Sequence, residues 1–197
     1  MTESSARIVS SEDERLILVD PDDNETGFLS KAECHDGDGV LHRPFSVFLF
    51  NSNGELLLQQ RAAGKRLWPM YWSNSCCSHP REGESVPEAA SRRLQDELHA
   101  ASDLKFVYKF VYQAPFGELG SEHELCHVFL GRIESGPSAN ETEIEAIRYV
   151  SAEALEREFL ETPQQFTPWF RMEWQRLTEA YSETLATYIS RQAPHDT

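Results

Sequence analysis

Positive charge is in short supply. Lysine and arginine number 18 against 33 aspartates and glutamates, a formal charge of −15 over 197 residues. A phosphate backbone demands a basic face, so this balance argues against nucleic acid as a partner. It fits a salt-adapted surface as readily as an ordinary acidic one. Cysteine is also sparse. Cys34, Cys76, Cys77 and Cys126 are too few and too unevenly placed to staple a small secreted domain. No apolar run approaches the roughly 20 residues that span a bilayer, and the first residues, MTESSAR, lack the apolar stretch of a signal peptide. The expectation is a soluble cytoplasmic protein with reduced thiols and no membrane partner. Internal repeats and low-complexity linkers are missing as well.

What is present suffices for one domain, with 40% hydrophobic residues to build a core. Residues 1–14 and 191–197 are polar and expected to be flexible, leaving 15–190 as the domain. LILVD (16–20) reads as a strand closed by the turn-rich stretch 21–27, and Ser30 with Glu33 forms a capping-box pattern for a short helix or turn. Residues 45–50 and 55–60, joined by NSNG, read as a hairpin. Ser85, Pro87 and Glu88 mark a helix start, with Ala90, Leu94 and Leu98 on one face. The stretches 104–114, 122–130 and 144–150 read as strands. A long last helix is expected from Pro168 through Trp174, Leu177, Tyr181 and Leu185. Strands in runs with a few helices between them indicate an α+β fold of two layers or more.

The stretch WSNSCCSHP (72–80) sets two adjacent cysteines before His79, which reads as a disulfide half, a ligand set or a nucleophile beside its partner. His35, His42 and His79 all sit in segments broken by glycine, proline or turn residues, where loops bring side chains together. Glu122 and Glu124, two apart on a strand, share one side of a sheet. Two anions on one face repel unless the face is wet or a cation lies between them. A His/Glu donor set without thiolate suits Mg²⁺, Mn²⁺, Fe or Zn²⁺ in expanded coordination, not a structural zinc site of four thiolates. In the helix after residue 85, Arg92 with Asp96 and Arg93 with Glu97 have the spacing of surface ion pairs. Glu97 alternatively faces a loop and holds a cation bridging to phosphate oxygens. Arg61, Lys65 and Arg66 form a basic island in an acidic chain, as a small phosphorylated anion requires.

Together, WSNSCCSHP, the His35/His42 pair and EHE (122–124), with AAGKRLWP (62–69) and FTPWF (166–170), resemble the type I isopentenyl-diphosphate Δ-isomerases. The likeness runs from about Leu16 to Trp174. It implies a single-domain Nudix α/β/α sandwich with a mixed sheet. The Nudix box is degenerate: Ser78 stands at its first glycine, Glu84 at its glutamate and Arg92 at its arginine, but Arg93 replaces the next glutamate and His99 the closing glycine. That departure counts against diphosphate hydrolysis, the alternative reaction on the same fold.

The resemblance further implies that His35, His42, His79, Glu122 and Glu124 bind one divalent metal (Mn²⁺, Mg²⁺ or Zn²⁺), and that Cys77, not Cys76, is the essential cysteine. Glu97 would contact a Mg²⁺ ion carried by the substrate diphosphate. Lys31, Arg61, Lys65 and Arg93 would contact the phosphates, and Tyr112 and Trp169 would line the pocket. Such an enzyme moves a double bond by adding a proton at one carbon and removing another two carbons away. Glu124 with Tyr112 is the expected acid, Cys77 the base with its pKa lowered by local positive charge, and Trp169 the ring facing the carbocation. A monomer or weak homodimer is expected, and Cys34 and Cys126 are assigned to packing.

Overall fold

The computed structural model describes residues 8–134 and 136–191. Nine strands and five α-helices are assigned among these residues. β1 (Arg15–Val19) and β2 (Glu25–Ser30) form a hairpin, followed by α1 (Lys31–His35). Next come β3 (Phe45–Phe50), β4 (Leu56–Arg61), β5 (Trp72–Ser73), β6 (Cys76–Ser78) and α2 (Val86–Leu98). β7 (Lys105–Pro115), β8 (Ser121–Arg132) and β9 (Ile144–Val150) precede α3 (Ala152–Glu161), α4 (Pro168–Ala180) and α5 (Ser182–Ile189).

The main sheet is mixed. β3 runs parallel to β8 and antiparallel to β4 and β6, β7 closes one edge against β8, and β9 lies along β4. β3, FSVFLF, is buried along its whole length because both faces of the sheet are covered. Its alternate residues go to different cores. Phe48 and Phe50 join Cys126, Val128, Trp169, Phe170, Trp174 and Leu185 beneath α4 and α5, whereas Phe45, Val47 and Leu49 meet Ala89, Ala90, Leu94 and Leu98 of α2. The result is helix, sheet, helix, the α+β sandwich that the resemblance implies. The period of two also separates the vicinal cysteines. Cys76 is buried in the α2 core, while Cys77 emerges on the α4 face.

Both capping boxes form. The Ser30 hydroxyl accepts from Glu33 N, and Ser30 N donates to the Glu33 carboxylate at 3.0 Å. In the same way Ser85 N donates to Glu88 at 3.1 Å. Two expectations need correcting. The last helix is not continuous: at Tyr181 (φ −126°, ψ 27°) the backbone leaves helical geometry, and Tyr181 stacks on Tyr108 at 4.7 Å between ring centroids. Nor is the whole segment before residue 15 loose. Val9 is buried with its carbonyl on Arg93, and Ser10 and Glu12 engage Lys31. The flexibility expected of residues 1–7 and 192–197 lies outside the described residues. β2 and α3 went unread in the sequence. No helix among the described residues is long and apolar enough to cross a membrane.

Candidate active site

Five donors meet on the α4 face of the sheet. His35 comes from the last turn of α1, His42 from a bridge between Leu18 and Glu124, His79 from the residue after β6, and Glu122 and Glu124 from β8. Their ligating atoms all lie within 4.8 Å of one another. His42 Nε2 is 3.3 Å from His35 Nε2 and 3.1 Å from His79 Nε2. Glu122 Oε2 lies 3.0 Å from His35 Nε2, and Glu124 Oε1 lies 3.2 Å from His79 Nε2.

The chemistry of this donor set fits a divalent cation. His42 Nδ1 donates to the Val40 carbonyl at 2.7 Å, so in the neutral ring Nε2 carries a lone pair aimed at the other two imidazoles. Facing lone pairs and carboxylates are tolerated when a cation sits among them. Burial pushes the His79 pKa well down, reinforced by His42 and His35. Burial acts likewise on His42, but the Glu124 hydrogen bond and charge outweigh it and raise its pKa. Glu124 and Glu122 stay low despite burial, held down by His42 and His35 respectively.

A cavity of about 280 Å³ opens beside this cluster. Cys77 reaches it from one side of β3, and Tyr112 and Glu124 from the other. The Tyr112 hydroxyl donates to Glu124 Oε2, and burial next to Glu124 keeps that phenol protonated. Cys77 Sγ donates to Asn74 Oδ1 at 2.7 Å and accepts from Trp169 Nε1 at 3.4 Å. Its pKa is pushed up to about 12, by burial first and the Glu173 charge second. This corrects the expected lowering by positive charge. Arg61, the nearby cation, spends its guanidinium on the Leu67 and Trp68 carbonyls and over the Trp169 ring at 5.3 Å.

Lys31, Arg61, Lys65 and Arg93 all line the cavity. Glu97 does not. It is buried behind Arg93, with Oε1 accepting from Arg93 Nε at 2.8 Å. Three further residues escaped sequence reasoning. Ser46 lines the cavity beside Cys77, and Glu143 lines it while pairing with Lys65 and, at 3.2 Å, with Arg93. Glu173 is a fully buried carboxyl on α4, with Oε1 accepting from Cys126 Sγ at 3.3 Å. Only Asn74, inside WSNSCCSHP, stood in a stretch that drew attention. Nothing local distinguishes Ser46, Glu143 or Glu173.

The NUDIX domain family model matches residues 40–170. Among solved structures, DR0079 from Deinococcus radiodurans superposes with a TM-score of 0.63 at 24% identity, covering 76% of this chain and 90% of that one. The MutT protein from Methanosarcina mazei gives 0.58 at 17% identity, covering 72% and 95%. Both share the fold. Isopentenyl-diphosphate Delta-isomerase 1 of Photorhabdus laumondii is 40% identical over 175 residues, covering 87% of this chain and 99% of the relative. Isopentenyl-diphosphate Delta-isomerase of Serratia proteamaculans is 45% identical over 159 residues, covering 80% and 88%. A NUDIX fold spanning most of the chain and that level of identity over nearly whole relatives place this protein in the isopentenyl-diphosphate Delta-isomerase family.

Proposed function

We propose that the protein interconverts isopentenyl diphosphate and dimethylallyl diphosphate. The observation that carries this reading is the cavity between Cys77 and the Tyr112–Glu124 pair, with four cationic side chains in its lining. A 1,3 shift of a double bond needs a proton donor at the terminal carbon and an acceptor at the carbon two positions away. Two proton-bearing groups reaching one pocket from either side of β3 meet that need.

In the forward direction the Tyr112–Glu124 pair gives a proton to the terminal methylene, and Cys77 Sγ takes one from the carbon next to the diphosphate-bearing carbon. In the resting chain the thiol proton sits against Asn74 Oδ1 and Glu124 is ionised. That is the protonation state left by a forward turnover and needed for the return reaction. Each forward cycle therefore moves one proton from Sγ back to the Tyr112–Glu124 pair. The Trp169 and Tyr112 rings wall off water, which would otherwise trap the carbocation. Lys31, Arg61, Lys65 and Arg93 orient the diphosphate.

His35, His42, His79, Glu122 and Glu124 would hold a divalent ion, Mn²⁺, Mg²⁺ or Zn²⁺ by their donor types. Such an ion supplies fixed positive charge beside Glu124, which stabilises its carboxylate after the proton has gone. Proton NMR of the purified chain with isopentenyl diphosphate in D₂O tests the assignment. Dimethylallyl diphosphate carrying deuterium is expected. Released phosphate or pyrophosphate would mark a hydrolase instead, and no turnover with Mg²⁺ together with Mn²⁺ or Zn²⁺, at low and high salt, would defeat both.

A further inference from the structure

Four neutral polar side chains, Ser73, Asn74, Ser75 and Thr167, lie fully buried around the β5–β6 link. Such groups are tolerated inside a protein only when their hydrogen bonds are met. Ser75 meets this condition with main chain alone, its hydroxyl donating to the Leu57 carbonyl at 2.6 Å and accepting from Leu49 N at 2.8 Å. It joins β4 to β3 and stays out of the cavity lining. Asn74 is different. Its Nδ2 donates to the carbonyls of Val47 at 3.2 Å and Cys76 at 3.1 Å, while its Oδ1 accepts from two side chains, Cys77 Sγ at 2.7 Å and Ser73 Oγ at 3.0 Å.

That arrangement locks the amide. Turned over, Asn74 would set its oxygen against two main-chain carbonyl oxygens, a repulsive contact, so the acceptor facing Cys77 cannot turn away. Ser73 is steadied from behind. Its Oγ lies 2.9 Å from Thr167 Oγ1, and Thr167 is the N-cap of α4, with its amide donating to the Trp72 carbonyl at 2.9 Å. Two residues further on, Trp169 Nε1 donates to the Cys77 sulfur at 3.4 Å. Base and ring thus belong to one hydrogen-bonded unit, in which Sγ has one immovable acceptor.

We infer that Asn74 is the positioning residue for the Cys77 base: it holds the sulfur at the substrate carbon and gives the abstracted proton a direction to point away from it. This rests on the isomerase reading. In the forward step the C–H bond of the carbon next to the diphosphate-bearing one breaks, its electron pair forms the new double bond and discharges the tertiary cation, and the proton makes an S–H bond. Rotation about Cβ–Sγ then swings that S–H from the new double bond to Asn74 Oδ1, so the proton is not handed straight back. The resting contact is the end of that swing. In the reverse direction the same bond turns from Asn74 toward the substrate.

The full metal-loaded chain tests this as wild type, Asn74→Ala and Ser75→Ala. Turnover of isopentenyl diphosphate is measured with and without deuterium at the carbon that loses its proton, and in H₂O and D₂O. Asn74→Ala is expected to lose about tenfold to a hundredfold in kcat with KM within about threefold, since the cationic lining is untouched. Its substrate isotope effect should rise and its solvent isotope effect fall, because the base step alone is slowed. Structural damage that merely lowers the number of working molecules moves neither. Ser75→Ala is expected to lose stability and keep both isotope effects. The Raman S–H stretch of Cys77, identified by its loss in Cys77→Ala, reads the contact without turnover and should move to higher frequency in Asn74→Ala. Where the Ala chain does not fold, Asn74→Ser, whose hydroxyl stops one bond short of Oδ1, carries the same expectations. A folded Asn74 variant with unchanged kcat, unchanged isotope effects or an unmoved S–H band overturns the proposal, as does an equal isotope shift in Ser75→Ala. No wild-type turnover defeats the isomerase reading and this role with it, whereas wild-type turnover beside unaltered Asn74 variants defeats the role alone.

Discussion

Replacing Glu173 with glutamine should make the chain progressively more stable than wild type as pH rises. Burial, with a smaller contribution from the Glu124 charge, moves this carboxyl from 4.5 to about 8, against the pull of its Ser46 and Cys126 hydrogen bonds. The cysteines at 77 and 126 and the tyrosines at 108 and 112 face it, and no basic side chain pairs with it among the described residues. Between about pH 4.5 and 8 the folded chain holds a proton here that the unfolded chain has released. Stability is therefore lost with rising pH at about 1.4 kcal/mol per pH unit, on the order of 3 kcal/mol between pH 5 and 7.5. Glutamine cannot ionise and should lack that slope. Urea denaturation of metal-free wild type and Glu173→Gln at pH 5, 6, 7 and 7.5 reads the difference. Lost packing would displace one curve from the other by a constant. A difference that does not change with pH would refute the reasoning.

Cys77→Ala and Glu124→Gln should each lower kcat by about a thousandfold or more, whereas Cys76→Ala, facing the α2 core, should stay within about threefold and lose ~1 kcal/mol of stability. Comparable kcat losses at both cysteines would contradict the division between sheet faces. Gly120→Ala should weaken metal binding and cost about 2 kcal/mol or more, because Gly120 has φ +147° and a Cβ there would lie 2.1 Å from the His35 carbonyl oxygen. Unaltered metal affinity in a calorimetric titration would disprove that coupling. Chelation of the metal-loaded chain should lower Tm by about 5–10 °C if free ion stood at a hundred times Kd, and an unmoved Tm would count against the five-donor site.

Much of the fold was legible because local rules and packing agree. The pairing of β3 with β4 across NSNG and the spacing of Glu122 and Glu124 follow from local turn and strand rules, and Ser30/Glu33 and Ser85/Glu88 carry their caps in sequence. The five donors were legible as residue types in order, and the structure adds only their convergence. What escaped depends on distant contacts. Glu143 becomes a cavity residue only when β9 lies along β4, and Glu173 is desolvated only when α4 covers Ser46 and Cys126. The thiol of Cys77 could not be judged from nearby cations in the sequence, since Arg61 binds carbonyls and burial dominates. β2 was hidden by the turn residues before it. The end of α4 is set by Tyr181 stacking on Tyr108, a partner some seventy positions away in sequence.

The metal donors come from α1, the His42 bridge, the end of β6 and two positions of β8, so one ion would tie together segments from residue 35 to residue 124. Bringing such ends together costs loop-closure entropy that only the completed sheet supplies. During synthesis a chain halted before β8 carries three imidazoles and neither carboxylate of the set, and it has no parallel neighbour for β3. Ion uptake should thus come late, after the sheet has zipped, and act as a fastener on a finished fold, not as a nucleus for building it.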